Sequence, residues 1–138
     1  MTRYVVVILL ASAFTLAQEP FGAENERLRG FTKSPTEHII NERRGVISVR
    51  VAQGRITEAA SKTGVPGAVV EVRQADRDGK VQNATSDEHG RFRLRKLSEG
   101  EYIFKVTRDG FQSVFGRLRV SKHAPSEARF DIELKQGI

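Results

Sequence analysis

The chain contains no cysteine in its 138 residues. This absence excludes a disulfide framework, a thiolate metal site and a cysteine nucleophile. The fold must therefore be stabilised by buried apolar surface alone. A chain of this length can form one domain of ordinary size, which is large enough to bury a sizeable core without cross-links.

Long apolar runs are also absent, because no run reaches the roughly 20 residues that a membrane-spanning helix requires. The longest run, Tyr4–Leu16, follows one basic residue, Arg3, and precedes the small residue Ala17. This pattern is typical of a secretory signal peptide. We expect residues 1–17 to be removed, with cleavage after Ala17 or, as the second choice, Ala13. The mature protein is then expected to be periplasmic or extracellular, and an uncleaved membrane anchor is the alternative.

Acidic and basic residues are interleaved along the chain rather than segregated. Lys and Arg number 23 against 17 Asp and Glu, which gives a formal net charge of +6. A basic balance is compatible with nucleic acid, an anionic membrane or an acidic polysaccharide as partner. Because opposite charges adjoin, as in Glu42 and Arg43, we interpret the charge mainly as solvated surface.

Residues 18–45 follow neither a helical nor a strand period. They combine proline, glycine and many charges with few adjacent apolar residues. We therefore predict a mostly disordered linker between the signal peptide and the domain. The alternative is that Phe31, Ile39 and Ile40 dock on the domain.

Two short alternating runs stand out between Asp87 and Phe111. Phe92 and Leu94 alternate with Arg91, Arg93 and Arg95, and Tyr102, Phe104 and Val106 alternate with Ile103, Lys105 and Thr107. A period of two directs one set of side chains to a core and the other to solvent or an edge. Because glycines at 90, 100 and 110 separate the runs, we predict that the runs form an antiparallel hairpin.

Further alternating runs lie on both sides of this stretch. They cover residues 46–51, with 54–57 as an extension or a break, and then 68–73, 80–86, 111–120 and 128–135. Turn signals separate them at short spacing, and no segment shows a convincing helical period. The pattern predicts an all-β fold, a single seven-stranded antiparallel β-sandwich of the Ig-like or prealbumin-like kind over residues 46–136.

Five short motifs in order carry a family resemblance. They are Gly54-Arg55-Ile56-Thr57, Gly64-Val65-Pro66-Gly67-Ala68, Asp87-Glu88-His89-Gly90-Arg91-Phe92, Gly100-Glu101-Tyr102 and Arg108-Asp109-Gly110-Phe111. Residues 46–135 resemble the carboxypeptidase regulatory-like domain, a transthyretin-like (prealbumin-like) sandwich. The resemblance implies a non-catalytic accessory module of the kind that packs, spaces or binds.

The residue types in these motifs also suit the turns and core positions predicted for them. Gly90 supplies a turn conformation with positive φ, which a side chain would strain to adopt. Pro66 and Gly67 set a turn before an inward Ala68. Tyr102 is expected to bury its ring while its hydroxyl reaches an edge.

No residue set requires catalysis or a metal. The three histidines, His38, His89 and His123, lie in predicted loops or linker without paired ligand spacing, so we interpret them as surface residues. Carboxylates around residues 76–79 and 87–88 could suit calcium, but aspartate and glycine also make tight turns, and that interpretation is favoured. No catalytic residue, cofactor or metal is expected.

Two chemistries known among related sandwiches are not expected either. Hydrolases of 5-hydroxyisourate resemble transthyretin more closely and end in Tyr-Arg-Gly-Ser, whereas this sequence ends Leu134-Lys135-Gln136-Gly137-Ile138. Other relatives form a Lys–Asn or Lys–Asp cross-link, but the first predicted strand offers Arg50, which cannot form that amide. Asp131 alternates with inward residues and should face outward.

A basic stripe is the one surface that suggests binding. Its predicted members are Arg91, Arg93, Arg95, Arg117 and Arg119, with Lys96 and Lys105 as possible additions. Arginine forks suit carboxylates, phosphates and sulfates. The alternative is that the arginines only keep a sheet face solvated and its edge unpaired. Nucleic acid is not expected, because no exposed aromatic residues are interleaved to stack bases.

Two hypotheses for function follow from these observations. The first is a secreted or periplasmic non-catalytic module that binds a protein or carbohydrate at the cell envelope. The second is a structural or accessory subunit of a larger envelope assembly with no ligand of its own. Binding to an isolated glycan or peptide would favour the first, and co-purification of one partner without such binding would favour the second.

Overall fold

The computed structural model describes residues 27–76 and 79–137, and it is all-β. Its eight strands are β1 (Ile40–Val49), β2 (Gln53–Glu58), β3 (Val69–Gln74), β4 (Gln82–Thr85), β5 (Arg91–Arg93), β6 (Gly100–Thr107), β7 (Ser113–Val120) and β8 (Ile132–Leu134). The described ranges contain no helix that is long and apolar enough to cross a membrane. The predicted signal peptide and residues 18–26 lie outside the described residues.

The strands form two sheets, in the orders β1-β7-β6-β3-β4 and β5-β2-β8. The sandwich is confirmed, but the prediction of seven antiparallel strands is corrected in two respects. Residues 46–57 form two strands in different sheets, which raises the count to eight. Two pairs, β1 with β7 and β2 with β8, are parallel. Parallel partners arise here because the chain crosses between sheets instead of turning back in a hairpin.

The predicted central hairpin does not form. Strand β5 pairs with β2, where Phe92 lies opposite Gly54, whereas β6 pairs with β3 and β7. The two alternating runs therefore belong to opposite sheets, and residues 94–99 carry the chain from one to the other. Alternation specifies which face of a strand is buried but not which strand it pairs with.

The core lies between the sheets and contains the residues that the alternation predicts. Phe104 and Phe130 are fully buried, and their ring centroids lie 4.8 Å apart at 69°. Phe92 makes a second edge contact with Phe130, with centroids 5.3 Å apart. As predicted, the Tyr102 ring is buried while its hydroxyl donates to the Ser98 carbonyl at 2.6 Å.

The backbone at position 90 requires glycine. Gly90 has φ +79°, and a Cβ there would lie 2.2 Å from the Ile56 carbonyl oxygen. The Ile56 N–H donates to the Gly90 oxygen at 2.7 Å, and the Ile56 carbonyl accepts the Val65 N–H at 2.9 Å. The predicted turn before β5 is thus held against β2 by backbone contact, which only glycine permits.

Residues 27–39, the N-terminal segment, pack on the outer face of the five-stranded sheet, whereas a mostly disordered linker was predicted over residues 18–45. Leu28 and Phe31 are 9% exposed and form a second apolar cluster with Phe115. Strand β1 begins at Ile40 rather than at Val46, and Ile40 also packs against this cluster. Ile39 stays 41% exposed. The apolar residues of this segment are scattered and follow no helical or strand period. Their packing role therefore becomes visible only in the structure, where they cover the sheet.

Polar contacts also hold the N-terminal segment on the five-stranded sheet. Lys105 Nζ lies 2.8 Å from Glu37 Oε1, and both side chains are almost fully buried. Lys105 also donates to the Thr32 carbonyl at 2.9 Å, while the Thr32 N–H donates to the buried Glu71 at 2.8 Å. The Ser113 hydroxyl donates to Glu37. Lys105, expected as an addition to the basic stripe, is instead buried beneath the N-terminal segment.

Candidate ligand-binding surface

Arg91 and Arg93 lie on β5, and Arg95 follows two residues beyond the end of that strand. All three are exposed, while Phe92 and Leu94 between them are 6% and 3% exposed. The alternation in the sequence therefore places three cations along one side of the three-stranded sheet. This part of the predicted basic stripe lies together in the structure.

An open groove of about 510 Å³, which we call the basic groove, runs past these arginines. Its lining residues are Gln53, Gly54, Thr85, Asp87, Arg91, Phe92, Arg93, Arg95 and Arg129. Arg129 was not predicted as a member of this surface, because it is remote from residues 91–95 in the sequence. It comes close to them only through the parallel pairing of β8 with β2. Its Nε lies 3.6 Å from Asp131 Oδ1. Arg93 and Arg95 make no ion pair within the described part of the chain.

Among the described residues that line the basic groove, Asp87 is the one carboxylate, and its side chain is hydrogen-bonded within the turn before β5. Its Oδ1 accepts the N–H groups of His89 and Arg91, each at 2.9 Å. The hydrogen bond from Arg91 is the main cause that lowers the pKa of Asp87, and the bond from His89 adds to it. The interpretation of Asp87 as a turn residue is confirmed, and its charge is held by backbone donors.

Arg117 and Arg119 belong to a different surface. They lie on β7 in the five-stranded sheet, opposite Val46 and Ser48 of β1. Arg119 pairs with Glu101 at 2.6 Å, and both side chains are about half exposed. The five predicted arginines therefore do not form one face. The prediction assumed that β5 pairs with β6 and β7, whereas the structure separates these strands into two sheets.

The candidate catalytic and metal-binding groups remain dispersed. His38, His89 and His123 are each exposed, and they lie before β1, in the turn before β5 and after β7, respectively. Within the described ranges no group of three or more His, Cys, Asp or Glu could hold a metal ion. The predicted turn at residues 76–79 includes residues 77 and 78, which lie outside the described ranges. Asp131 is exposed, as predicted, and accepts the Arg55 N–H at 2.8 Å.

Comparison with known protein families gives a match to the carboxypeptidase regulatory-like domain over residues 51–135. The chain belongs to this family. The resemblance found in the sequence is thereby confirmed, and domains of the family are transthyretin-like β-sandwiches and non-catalytic modules. Comparison with curated proteins finds no match. The N-terminal segment and β1 precede the matched residues, whereas the basic groove lies within them.

Proposed function

We propose that the protein is an exported, non-catalytic binding module, which holds a protein or carbohydrate partner at the cell envelope through the basic groove. The observation that carries this proposal is the lining of that groove. Arg91, Arg93, Arg95 and Arg129 converge there, and Asp87, the one carboxylate among the described lining residues, accepts hydrogen bonds from backbone N–H groups.

The chemistry of the groove favours anionic groups on an extended partner. A guanidinium binds a carboxylate, phosphate or sulfate through two parallel hydrogen bonds. Arg93 and Arg95 have no competing ion pair in the described ranges, so a ligand need not displace one. An open groove lined by several arginines suits a chain of repeated anionic groups better than a small enclosed molecule.

The same lining disfavours a nucleic acid. Phe92 is the one aromatic residue in the described lining of the groove, and it is 6% exposed. Single-stranded nucleic acids rely on exposed aromatic rings on which bases stack. An acidic polysaccharide or an acidic protein segment needs only the charges that the groove supplies.

The proposal is tested with polygalacturonate and polyglutamate as defined polyanions, and with affinity capture from a cell-envelope extract. The variant Arg91→Ser/Arg93→Ser/Arg95→Ser removes three charges from the groove. The matched control Arg43→Ser/Arg44→Ser/Arg117→Ser removes three charges from the five-stranded sheet. We expect the groove variant to lose binding by at least tenfold and the control to lose only a few-fold.

Three outcomes are informative. Equal loss in both variants would show that net charge alone is responsible, which contradicts a site in the groove. Retention of a captured partner by the folded groove variant would move the interface elsewhere. Failure to bind either polyanion, together with capture of one partner protein at a surface other than the groove, would support the accessory-subunit alternative instead.

A further inference from the structure

A second cleft lies at one end of the sandwich, and we call it the end cleft. It has a volume of about 450 Å³ and is formed by the connection between β1 and β2, the residues that follow β5, and the end of β7. Arg50, Arg93, Arg95 and Lys96 line it, and none of the described residues in its lining is acidic. It adjoins the basic groove, with which it shares Arg93 and Arg95.

The end cleft differs from the basic groove in its apolar content. Val51, Leu94, Leu97 and Val120 contribute to its lining. Val51 is 40% exposed, and it is one of three large hydrophobic side chains that are exposed in the described ranges. An exposed, β-branched apolar side chain surrounded by cations resembles the combination by which peripheral proteins bind charged membranes.

The loops that carry these groups are held in a fixed arrangement. The Leu94 N–H donates to the Ala52 carbonyl at 2.8 Å, which joins the two loops across the cleft. Arg50 Nε donates to the Ala124 carbonyl and leaves the ends of its guanidinium available. Lys96 has φ +59°, a left-handed conformation that lysine seldom adopts. The cations of the end cleft and the exposed Val51 are therefore held close together by these contacts.

We propose that the end cleft docks on an anionic lipid surface. Arg50 and Lys96, with their shared neighbours Arg93 and Arg95, bind the phosphates of the headgroups, while Val51 enters the interfacial layer. Charge complementarity and the exposed valine together favour this occupant, since headgroup phosphates match the cations and the interfacial layer of a bilayer accepts an apolar side chain. The two proposals share Arg93 and Arg95, but they can be tested separately, because Arg50, Val51 and Lys96 do not line the basic groove.

The test is cosedimentation of the protein with vesicles of phosphatidylglycerol and phosphatidylcholine, against vesicles of phosphatidylcholine alone. Each cation near an anionic bilayer contributes about fivefold to the affinity. Arg50→Gln/Lys96→Asn should therefore weaken binding by about 25-fold, and asparagine tolerates the left-handed conformation at position 96. The matched control Arg44→Gln/Arg117→Gln removes two exposed charges elsewhere and should lose only a few-fold.

Val51→Ser provides a second variant that leaves the charge unchanged. It should lose several-fold in vesicle binding, and the loss should persist at 0.5 M salt (about the level that screens surface charges). Thermal melts of each variant show that the sandwich is folded. A valine effect with unchanged charge separates lipid insertion from simple electrostatic adsorption.

Other results would overturn the proposal. These are absence of binding to anionic vesicles, equal binding to neutral vesicles, or equal loss in the end-cleft pair and the control pair. Release from vesicles by inorganic phosphate, but not by chloride at the same ionic strength, would show a free-anion site instead of a lipid-docking surface. Because the vesicles contain neither polysaccharide nor protein, failure here leaves the test of the basic groove unaffected.

Discussion

Both faces of the five-stranded sheet are buried over part of β3, β6 and β7, but by different means. The inner face is apolar, with Val70, Val72, Phe104 and Leu118 at 0–1% exposure. On the outer face, Glu71 and Lys105 are 4% and 2% exposed. They lie directly opposite each other on β3 and β6 and are covered by the N-terminal segment.

This difference teaches how burial can be achieved without a continuous apolar surface. On the inner face, removal of apolar area from water is the driving force. On the outer face, the buried charges must be paired and hydrogen-bonded, since a buried charge without a partner is costly. Glu37 Oε2 has no hydrogen-bond partner within the described residues, so this network is not completely satisfied.

The largest expected effect is on the inner face. Phe104→Ala should lower the free energy of unfolding by about 3–5 kcal/mol, because it leaves a cavity beside Phe130 in a fully buried position. Chemical denaturation followed by circular dichroism measures this loss. A variant as stable as the wild type would contradict the assignment of Phe104 to the central core.

Breaking the buried ion pair is expected to cost slightly less. Lys105→Met removes the partner of Glu37 and leaves a buried carboxylate unpaired, which should cost about 3 kcal/mol. Adding Glu37→Gln to this variant removes the orphaned charge and keeps an acceptor for Ser113. The double variant should therefore recover most of the loss in the same denaturation experiment. Additive losses would show that the two side chains are not coupled.

Loosening the N-terminal segment should have a local effect. Phe31→Ala removes the ring that packs in the second cluster and lies 5.0 Å from the Arg73 guanidinium carbon. We expect a loss of about 2 kcal/mol, below that of a fully buried phenylalanine, and faster proteolysis within residues 27–39 while the sandwich stays folded. If unfolding remains fully cooperative and the loss equals that of Phe104→Ala, both faces form one cooperative unit.

The smallest effect is expected where the outer face is uncovered. Arg119 and Glu101 form an ion pair on the same sheet, but both side chains are about half exposed. Arg119→Ala should change the stability by less than about 0.5 kcal/mol, because an exposed pair gains little over solvation. A double-mutant cycle with Glu101→Ala measures the coupling energy. A coupling energy as large as that between Glu37 and Lys105 would contradict the expectation that a buried ion pair contributes more to stability than an exposed one.

The alternation of the sequence predicted the core between the two sheets well and the outer face of the five-stranded sheet poorly. Phe92, Leu94, Phe130, Ile132 and Leu134 are buried as predicted. Lys105 alternates correctly with Phe104 and Val106, yet it is buried as well. A charged residue that alternates with core residues along a strand normally faces solvent. The residues near Lys105 in the sequence give no sign that residues 27–39 cover it.

The candidate site was predicted in the same partial way. Arg91, Arg93 and Arg95 lie together because they alternate along β5 and the two residues that follow it, and such alternation is a local property. Arg117 and Arg119 were assigned to the same face through an assumed pairing of strands, and they lie in the other sheet. Arg129 lies just before β8, and no local pattern in the sequence connects that part of the chain with β5.

By itself, the sequence determined the family, the all-β class, the apolar core between the sheets and the requirement for glycine at position 90. These features depend on side-chain alternation and backbone conformation, which neighbouring residues specify. The tertiary structure alone decided the assignment of β5 to the smaller sheet, the parallel pairs, the burial of Lys105 with Glu37, and the separation of the arginines into two surfaces. Each of these depends on contacts between residues far apart in the chain, and alternation fixes the buried face of a strand without fixing its partner.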